Sequence, residues 1–214
     1  VYDTQEVNIL FTGDYNNKNS FLENVELPEW VYRLKNLTIV TEATYGDTDS
    51  CDIKHVWADN VTKACQDEKS ILLLCFAQGR FQEMLYQIKC LQEKGKIPSD
   101  YLILADGKSG IQYSFSYAQN KKLRISPEMK NFFPSKIEFV NNKNRQALLH
   151  THEKKIIVST SGMGNFGPAR TYIPEMLPLK NSVIHFSGYT AEGTLGRKLQ
   201  ELECGESISI SGIT

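Results

Sequence analysis

The sequence predicts an α/β protein with a mostly parallel sheet and helices on both of its faces. Short apolar runs rich in β-branched residues alternate along the 214 residues with longer segments of helical periodicity. Most of these runs are apolar throughout instead of at alternate positions, which is typical of strands buried on both faces. Helices that connect such strands cover the two sides of the sheet.

Eight segments carry the strand pattern, each four to seven residues long. They are Val7–Thr12, Leu37–Val40, Ile71–Phe76, Tyr101–Ala105, Lys136–Val140, Lys155–Thr160, Ser182–Ser187 and Ser207–Ile213.

Five segments carry helical periodicity, and Gly79–Glu93 is the clearest because four apolar residues form one stripe: Phe81, Leu85, Ile88 and Leu91. The other four are Asp59–Lys69, which opens on an N-cap residue, Ser109–Asn120, Asn142–His152 and Thr194–Leu202. The segment Leu123–Ser135, which contains Pro127 and Pro134, is predicted to be irregular.

The composition is that of a folded globular protein, with 41% hydrophobic and 23% charged residues. Because 24 Lys and Arg balance 25 Asp and Glu, an anionic partner would need a local basic groove. The five cysteines are odd in number and form no CxxC pair, so we expect free thiols in a reducing compartment. No signal peptide or membrane span is expected. We therefore predict a cytoplasmic protein, or a nuclear one if the source is eukaryotic.

Polar clusters follow six of the predicted strands, where open α/β sheets bind their ligands. Loops after strands also hold glycines and caps in any α/β protein, so this position alone does not identify a site. The clusters are Gly13-Asp14, Glu42, Gln78-Gly79-Arg80, Asp106-Gly107, Ser161-Gly162 and Gly188-Tyr189.

Three motifs occur along the chain: FTGDY at Phe11–Tyr15, TEATYGD at Thr41–Asp47, and the stretch Ser161–Leu199 that begins SGMG and ends GYTAEGTLGRKL. In this order they resemble the β-CASP family of metallo-β-lactamase-fold nucleases. The resemblance runs from about Ile9 to the C-terminus. It implies a Rossmann-like β-CASP domain over a metal-dependent active site that hydrolyses RNA, with two zinc ions expected and manganese possible.

Asp14 and Glu42 are the two candidate active-site residues. From the residues alone, each is explained by a purely structural role. Asp14 would cap a turn, and Glu42 would cap a helix or form an ion pair. The resemblance implies that Asp14 bridges two metal ions, and that Glu42 pairs with a downstream histidine to protonate the leaving oxygen. Glu42 follows an apolar strand, so we expect desolvation to raise its pKa. Glutamate instead of aspartate at this position favours the RNA-processing branch of the family.

Five residues are candidates for contacts with the substrate. Arg80, in a turn similar to the family's FALGR-QE turn, either holds Glu42 or a loop in place or contacts a phosphate. The resemblance places Ser161 and Gly162 at the substrate cleft, where they could donate hydrogen bonds to phosphate. Tyr189 or Thr194 is expected at the cleft edge, and Thr194 also has the sequence signature of a helix N-cap.

Two other motifs are interpreted as accidental. The glycines of GxGxxG at Gly162–Gly167 match a dinucleotide fingerprint, but the next strand ends without the acidic residue that binds ribose. The sequence His150-Thr151-His152-Glu153 imitates half of a metal motif, and it is interpreted as an exposed helix end.

The resemblance divides the chain into a terminal metallo-β-lactamase portion (1–36), a β-CASP domain (37–206) and a return into the lactamase-like domain (207–214). None of the four histidines falls in a matching motif, so most metal ligands would lie before Val1 and after Thr214. We expect a piece of a longer protein, inactive by itself, whose partners are RNA, the rest of the lactamase domain, and a second copy or subunits of a processing complex. The alternatives are a DNA nuclease, a non-catalytic RNA-binding or scaffold subunit, and an α/β domain that binds a small nucleotide.

Overall fold

The structure is a computed structural model that describes residues 2–3, 7–15, 26–44, 46, 53–120, 122, 131–203 and 205–210. Its strands are β1 (Tyr2–Asp3), β2 (Asn8–Phe11), β3 (Leu37–Val40), β4 (Ser70–Leu74), β5 (Leu102–Asp106), β6 (Ile137–Val140), β7 (Lys155–Ser159) and β8 (Ser182–Phe186). Its α helices are α1 (Ile53–Gln66), α2 (Arg80–Glu93), α3 (Lys108–Gln119), α4 (Arg145–Leu149), α5 (Ala169–Met176) and α6 (Leu195–Glu201). The predicted α/β fold is confirmed.

The larger of the two sheets that the described residues form has five strands, all parallel, in the order β6-β5-β7-β4-β8. The middle strand β7 pairs with β4 through Ile71↔Ile156 and with β5 through Leu102↔Lys155. Every residue of β5 and β7 is buried. These strands are therefore shielded on both faces, as their continuous apolar sequences predict.

Helices cover both faces of this sheet. Side chains alternate along a strand, so Ile71 and Leu73 pack with residues of α1, α2 and α3, while Leu72 and Leu74 pack with α5. Leu72, Leu73 and Leu74 are completely buried, and removing each from water stabilises the fold by about 1.5–3 kcal/mol. The carboxyl ends of all five strands lie at one edge, which we call the carboxyl edge.

The smaller sheet has the order β1-β2-β3, with β1 antiparallel to β2 and β3 parallel to it. Three of its large apolar side chains face solvent: Phe11 is 60% exposed, Ile39 56% and Val40 46%. The predicted β-CASP domain (37–206) includes Leu37–Val40, but this strand pairs with β2 and not with the five-stranded sheet. The predicted three-part division stays a prediction, and this pairing favours a boundary after Val40 instead of before Leu37.

Two helices differ from their predictions. Helix α1 begins at Ile53 instead of Asp59, so Asp59 lies within the helix and not at its N-cap. Helix α5 was not predicted, because Pro174 lies inside it and interrupts the helical sequence pattern. The predicted strand Ser207–Ile213 is reduced to a single bridge residue at Ile210 in its described part, and most of the predicted irregular segment lies outside the described residues.

Helix α4 is shorter than the predicted Asn142–His152, and its end is held by a buried lysine. Lys155, in the central strand, donates from its ammonium group to the carbonyl oxygens of Leu148, Leu149 and Thr151 at 2.8–3.0 Å. A cation at a helix C-terminus satisfies carbonyls that have no partner within the helix. Burial lowers the pKa of Lys155. None of the helices in the described ranges is long and apolar enough to cross a membrane.

Candidate functional site

The carboxyl ends of β2 and β3 bring the two predicted active-site carboxylates to neighbouring positions. Phe11 pairs with Val40 at the last step of the ladder, and the Thr12 N–H donates to the Val40 carbonyl at 3.0 Å. Asp14 lies two residues after Thr12 and is exposed, and Glu42 lies two residues after Val40. Adjacent strands are about 4.8 Å apart, so both carboxylates belong to one edge of the small sheet. Tyr45 and Asp47 of the same motif lie outside the described residues.

The expected direction of the Glu42 pKa is wrong. Glu42 Oε2 accepts a 2.7 Å hydrogen bond from the Thr44 N–H, which lowers the pKa of Glu42 below its ordinary value. Desolvation acts in the opposite sense and is the weakest contribution, because β3 is mostly exposed and not the buried strand that was assumed. The carboxylate is therefore held in its ionised form.

The described residues contain no group of three or more His, Cys, Asp or Glu side chains placed to hold a metal ion. Asp14 and Glu42 provide carboxylate oxygens, which suit a hard or borderline divalent cation, but a four-coordinate centre would need further ligands. His150 follows α4 and is exposed, with its Nε2 3.2 Å from Gln146 Oε1, and His152 is exposed too. This agrees with their interpretation as an exposed helix end.

Ser161 and Gly162 follow β7 at the middle of the carboxyl edge. The Ser161 hydroxyl accepts a 3.2 Å hydrogen bond from the Phe166 N–H, and its own proton has no acceptor among the described residues. Gly162 is buried, and a Cβ there would lie 2.9 Å from the Phe76 nitrogen. Close packing against the end of β4 explains this glycine, and its contact with substrate stays a prediction.

Arg80 and Gln82 stabilise the first turn of α2. Arg80 Nη1 donates to Glu83 Oε2 at 2.6 Å, and among the described residues no contact joins Arg80 to Glu42. Its predicted role of holding Glu42 is therefore not observed. Gln82, which sequence reasoning did not identify, is completely buried and donates to the Gly110 carbonyl at 2.9 Å while its Oε1 accepts from the Gly79 N–H at 2.8 Å.

Thr194 and Tyr189 lie near the end of β8. The predicted N-cap at Thr194 is confirmed, because its hydroxyl accepts from the Arg197 N–H at 3.3 Å and donates to the Ala191 carbonyl at 2.6 Å. The hydroxyl is thus occupied by the helix start. Tyr189 is 53% exposed, with the Arg197 guanidinium 5.8 Å from its ring centroid. Its open ring is the group here that is available to stack on a base.

A buried polar network lies beneath the other end of the carboxyl edge, and its members were not predicted to act together. Asp106 closes β5 and is 1% exposed. Its carboxylate accepts from Arg145 Nε at 2.6 Å and Nη2 at 3.1 Å, and from the Tyr172 hydroxyl at 2.7 Å. The hydrogen bond that Arg145 donates to Asp106 raises the pKa of Arg145, and burial raises the pKa of Tyr172. The network joins β5, α4 and α5.

Comparison with known proteins identifies a family for this chain. The family profile described as "Beta-Casp domain" matches residues 81–199, more than half of the 214. An RNase J-like protein of Methanocaldococcus jannaschii is 31% identical over 202 residues, which cover 90% of this chain and 46% of the relative. The transcription termination factor FttA of Pyrococcus abyssi is 31% identical over 209 residues, which cover 90% of this chain and 31% of the relative.

The same factor from Methanosarcina mazei is 28% identical over 209 residues, which cover 91% of this chain and 32% of the relative. The chain thus spans less than half the length of these three relatives. The profile match begins in the first turn of α2 and ends within α6. It includes β5, β6, β7 and β8, which are four of the five strands of the larger sheet. The chain belongs to the β-CASP family.

Proposed function

We propose that this chain forms part of a metal-dependent ribonuclease that hydrolyses RNA phosphodiester bonds, in which the five-stranded domain caps the active site and helps to bind RNA. The observation that carries the proposal is the parallel pairing of β2 with β3, which brings Asp14 and Glu42 to adjacent strand ends. The name of the Methanocaldococcus jannaschii relative, RNase J-like protein, supports RNA as the substrate. We propose a cytoplasmic location, or a nuclear one in a eukaryote.

Asp14 is proposed as a metal ligand, with two zinc ions expected and manganese as the alternative. A bound metal ion would lower the pKa of a water molecule and polarise the phosphoryl oxygen. Gly13, at φ +61°, turns the chain so that Asp14 follows directly on the strand end. Further metal ligands would come from the remainder of a metallo-β-lactamase domain.

Glu42 is proposed to orient and stabilise a protonated histidine instead of donating a proton itself. Its hydrogen bond from Thr44 favours the ionised form, which is the wrong form for a general acid and the right form to pair with an imidazolium. The histidine would lie in the longer protein, after Thr214, and its imidazolium would protonate the leaving oxygen.

The exposed apolar side chains of the small sheet support a role within a larger fold. Phe11, Ile39 and Val40 are each close to or above half exposed, and a sheet normally covers such residues with another layer. We propose that the remainder of the lactamase domain packs on them. A second copy of the chain or subunits of a processing complex are further proposed partners.

The test uses a longer polypeptide that contains this chain, with metal analysis and single-turnover cleavage of matched RNA and DNA oligonucleotides. Asp14→Ala should lose both metal and cleavage. Glu42→Gln should keep its metal and slow cleavage by roughly 10²–10⁴-fold. Glu29→Gln, which removes an exposed carboxylate paired with Arg33, is the matched control and should behave as wild type.

Three outcomes would contradict the proposal. Wild-type polypeptide that binds RNA without cleaving it would indicate a scaffold subunit. Equal or faster cleavage of DNA would indicate a DNA nuclease. Full activity of Asp14→Ala would show that the FTGDY turn is not a metal site.

A further inference from the structure

A cleft of about 870 Å³ opens at the carboxyl edge, on the side of β6, β5 and β7. Its walls are the first turns of α3, the loop from β6 to α4, and the Gly167-Pro168 pair that precedes α5. Its polar lining consists of Asp106, Lys108, Gln112, Asn141–Lys143 and Arg145. We call it the Lys108–Lys143 cleft. Neither the active-site carboxylates nor the predicted substrate residues line it.

The cleft carries excess positive charge although the whole chain has a formal net charge of −1. Lys108, Lys143 and Arg145 oppose the single carboxylate of Asp106, which leaves a local net charge of +2. The Asp106 carboxylate is already bonded to Arg145 and Tyr172. Lys108 and Lys143 are both exposed, and neither forms an ion pair with any described residue. Their ammonium groups are therefore available to an anion.

The two lysines are held on rigid supports. Asn141 Oδ1 accepts from the Lys143 N–H at 2.8 Å, and Asn144 Oδ1 accepts from the Asn141 N–H at 2.7 Å, so the turn that carries Lys143 is fixed by its own side chains. The Asp106 network fixes Arg145 beneath it, with 15% of the Arg145 side chain exposed. Lys108 begins α3, whose first backbone bond joins the Ile111 N–H to Gly107, so the preceding N–H groups add donors beside Lys108.

We propose that the Lys108–Lys143 cleft binds the backbone of single-stranded RNA at a distance from the reacting phosphate. Two lysines without partners, beside helix N–H donors, provide contacts for phosphates, and Ile111, Val140 and Pro168 provide an apolar wall for a ribose or base. The volume lies in the range of clefts that enclose ligands of nucleotide size. The inference rests on the proposed function only for the identity of the ligand as RNA.

The position of the cleft suits a strand that crosses the whole edge. In the order β6-β5-β7-β4-β8, Ser161 follows β7 and Tyr189 follows β8. The cleft is centred on β5, three strand spacings from β8, or about 14 Å. RNA that stacked on Tyr189 and passed Ser161 would reach Lys108 and Lys143 several ångströms further along.

The test measures binding of this 214-residue chain to a fluorescein-labelled, unstructured 12-nucleotide RNA by anisotropy over a range of KCl concentrations. The double variant Lys108→Gln/Lys143→Gln should bind on the order of tenfold more weakly at 0.1 M salt, and its salt slope should fall by about 1.4. The matched control, Lys94→Gln/Lys180→Gln, makes the same charge change in exposed loops before β5 and β8, at the opposite edge. It should bind as wild type.

A second readout locates the RNA directly. RNA containing 4-thiouridine, crosslinked by light and mapped by mass spectrometry, should label peptides that contain Lys108 or Lys143. Equal binding by the two double variants, crosslinks confined to other surfaces, or tighter binding of uridine monophosphate or a polyglutamate peptide than of RNA would each overturn the inference. If RNA binds here but the longer polypeptide cleaves none, the proposed nuclease fails and this site stands. If the longer polypeptide cleaves RNA but this chain does not bind RNA, the proposed nuclease function stands and the proposed binding site fails.

Discussion

The two sheets of this chain differ in how far their faces are covered by other elements. In the five-stranded sheet, helices cover both faces and the residues of β5 and β7 are all buried. In the three-stranded sheet, Phe11, Ile39 and Val40 remain exposed. The larger sheet thus has the packing that stabilises a domain, whereas no layer formed by the described residues covers these three side chains of the smaller sheet. Yet the smaller sheet holds both candidate active-site carboxylates. The chain therefore combines one sheet that is covered on both faces with a second sheet that carries exposed apolar residues and the proposed active-site carboxylates.

Each region contains one of the two tryptophans, which allows the comparison to be measured. Trp57 in α1 is 6% exposed and packs in the core of the larger sheet, whereas Trp30 is 52% exposed and precedes the 3-10 helix Val31–Arg33. In a Trp30→Phe background the fluorescence reports on the larger sheet, and in a Trp57→Phe background on the smaller region. Urea unfolding followed in the two backgrounds is the measurement for the predictions below.

The largest difference in stability between the two regions should come from breaking one ion pair in each, Asp106–Arg145 and Glu29–Arg33. Asp106→Ala leaves the partly buried Arg145 guanidinium and the buried Tyr172 hydroxyl without their shared acceptor, which should lower the free energy of unfolding by about 4 kcal/mol. Glu29→Ala removes an exposed partner of Arg33, which should change it by less than about 0.5 kcal/mol. Similar losses for both variants would show that the Asp106 network does not support the larger sheet.

Truncating one apolar residue in each sheet should give the next largest difference. Leu73→Ala opens a cavity in a completely buried strand and should cost about 3 kcal/mol. Ile39→Ala removes a side chain that is 56% exposed and should cost about 0.5 kcal/mol or less. If Ile39→Ala costs as much as Leu73→Ala, the small sheet is covered within this chain and needs no further polypeptide.

Substituting one glycine in each region distinguishes the cost of close packing from the cost of an unfavourable backbone conformation. Gly162→Ala places a methyl group against the Phe76 nitrogen and should cost about 2 kcal/mol. Gly13→Ala meets no atom of the described residues within 4 Å and should cost only about 1 kcal/mol, for adopting a positive φ. The urea midpoints decide, and a neutral Gly162→Ala would remove the packing explanation for this residue.

The smallest effect should come from the cap of α6. Thr194→Ala removes the acceptor for the Arg197 N–H and should cost about 1 kcal/mol, while Thr194→Ser keeps the hydroxyl and should cost less. Thr38→Ala, at an exposed position of β3, is the comparison from the small sheet. In the RNA-binding assay, an affinity loss for Thr194→Ala without a stability loss would indicate a direct contact instead of a cap.

The strands of the larger sheet and the N-cap at Thr194 were predictable because they depend on local sequence. A continuous apolar run indicates a buried strand, and a threonine before a helical pattern indicates an N-cap, without knowledge of distant residues. The failures have non-local causes. The direction of the Glu42 pKa was wrong because an apolar run does not show whether another layer covers β3. The partners of Asp106 lie 39 and 66 residues away, and no spacing rule joins them.

The strand order of the larger sheet also bears on how the chain folds during synthesis. β7 lies between β5 and β4, yet it is made after both, and its residue Lys155 lies 85 residues from Ser70. Until β7 leaves the ribosome, β4 cannot join the β5–β6 pair, and the edges that β7 will occupy are open. Pairing at such long sequence separation is slow, and open strand edges favour aggregation. A nascent chain that stalls before Lys155 would therefore expose the unpaired strand β4 and one open edge of the β5–β6 pair, because both neighbours of β4 are made later. The five residues of β7 are what connects the two.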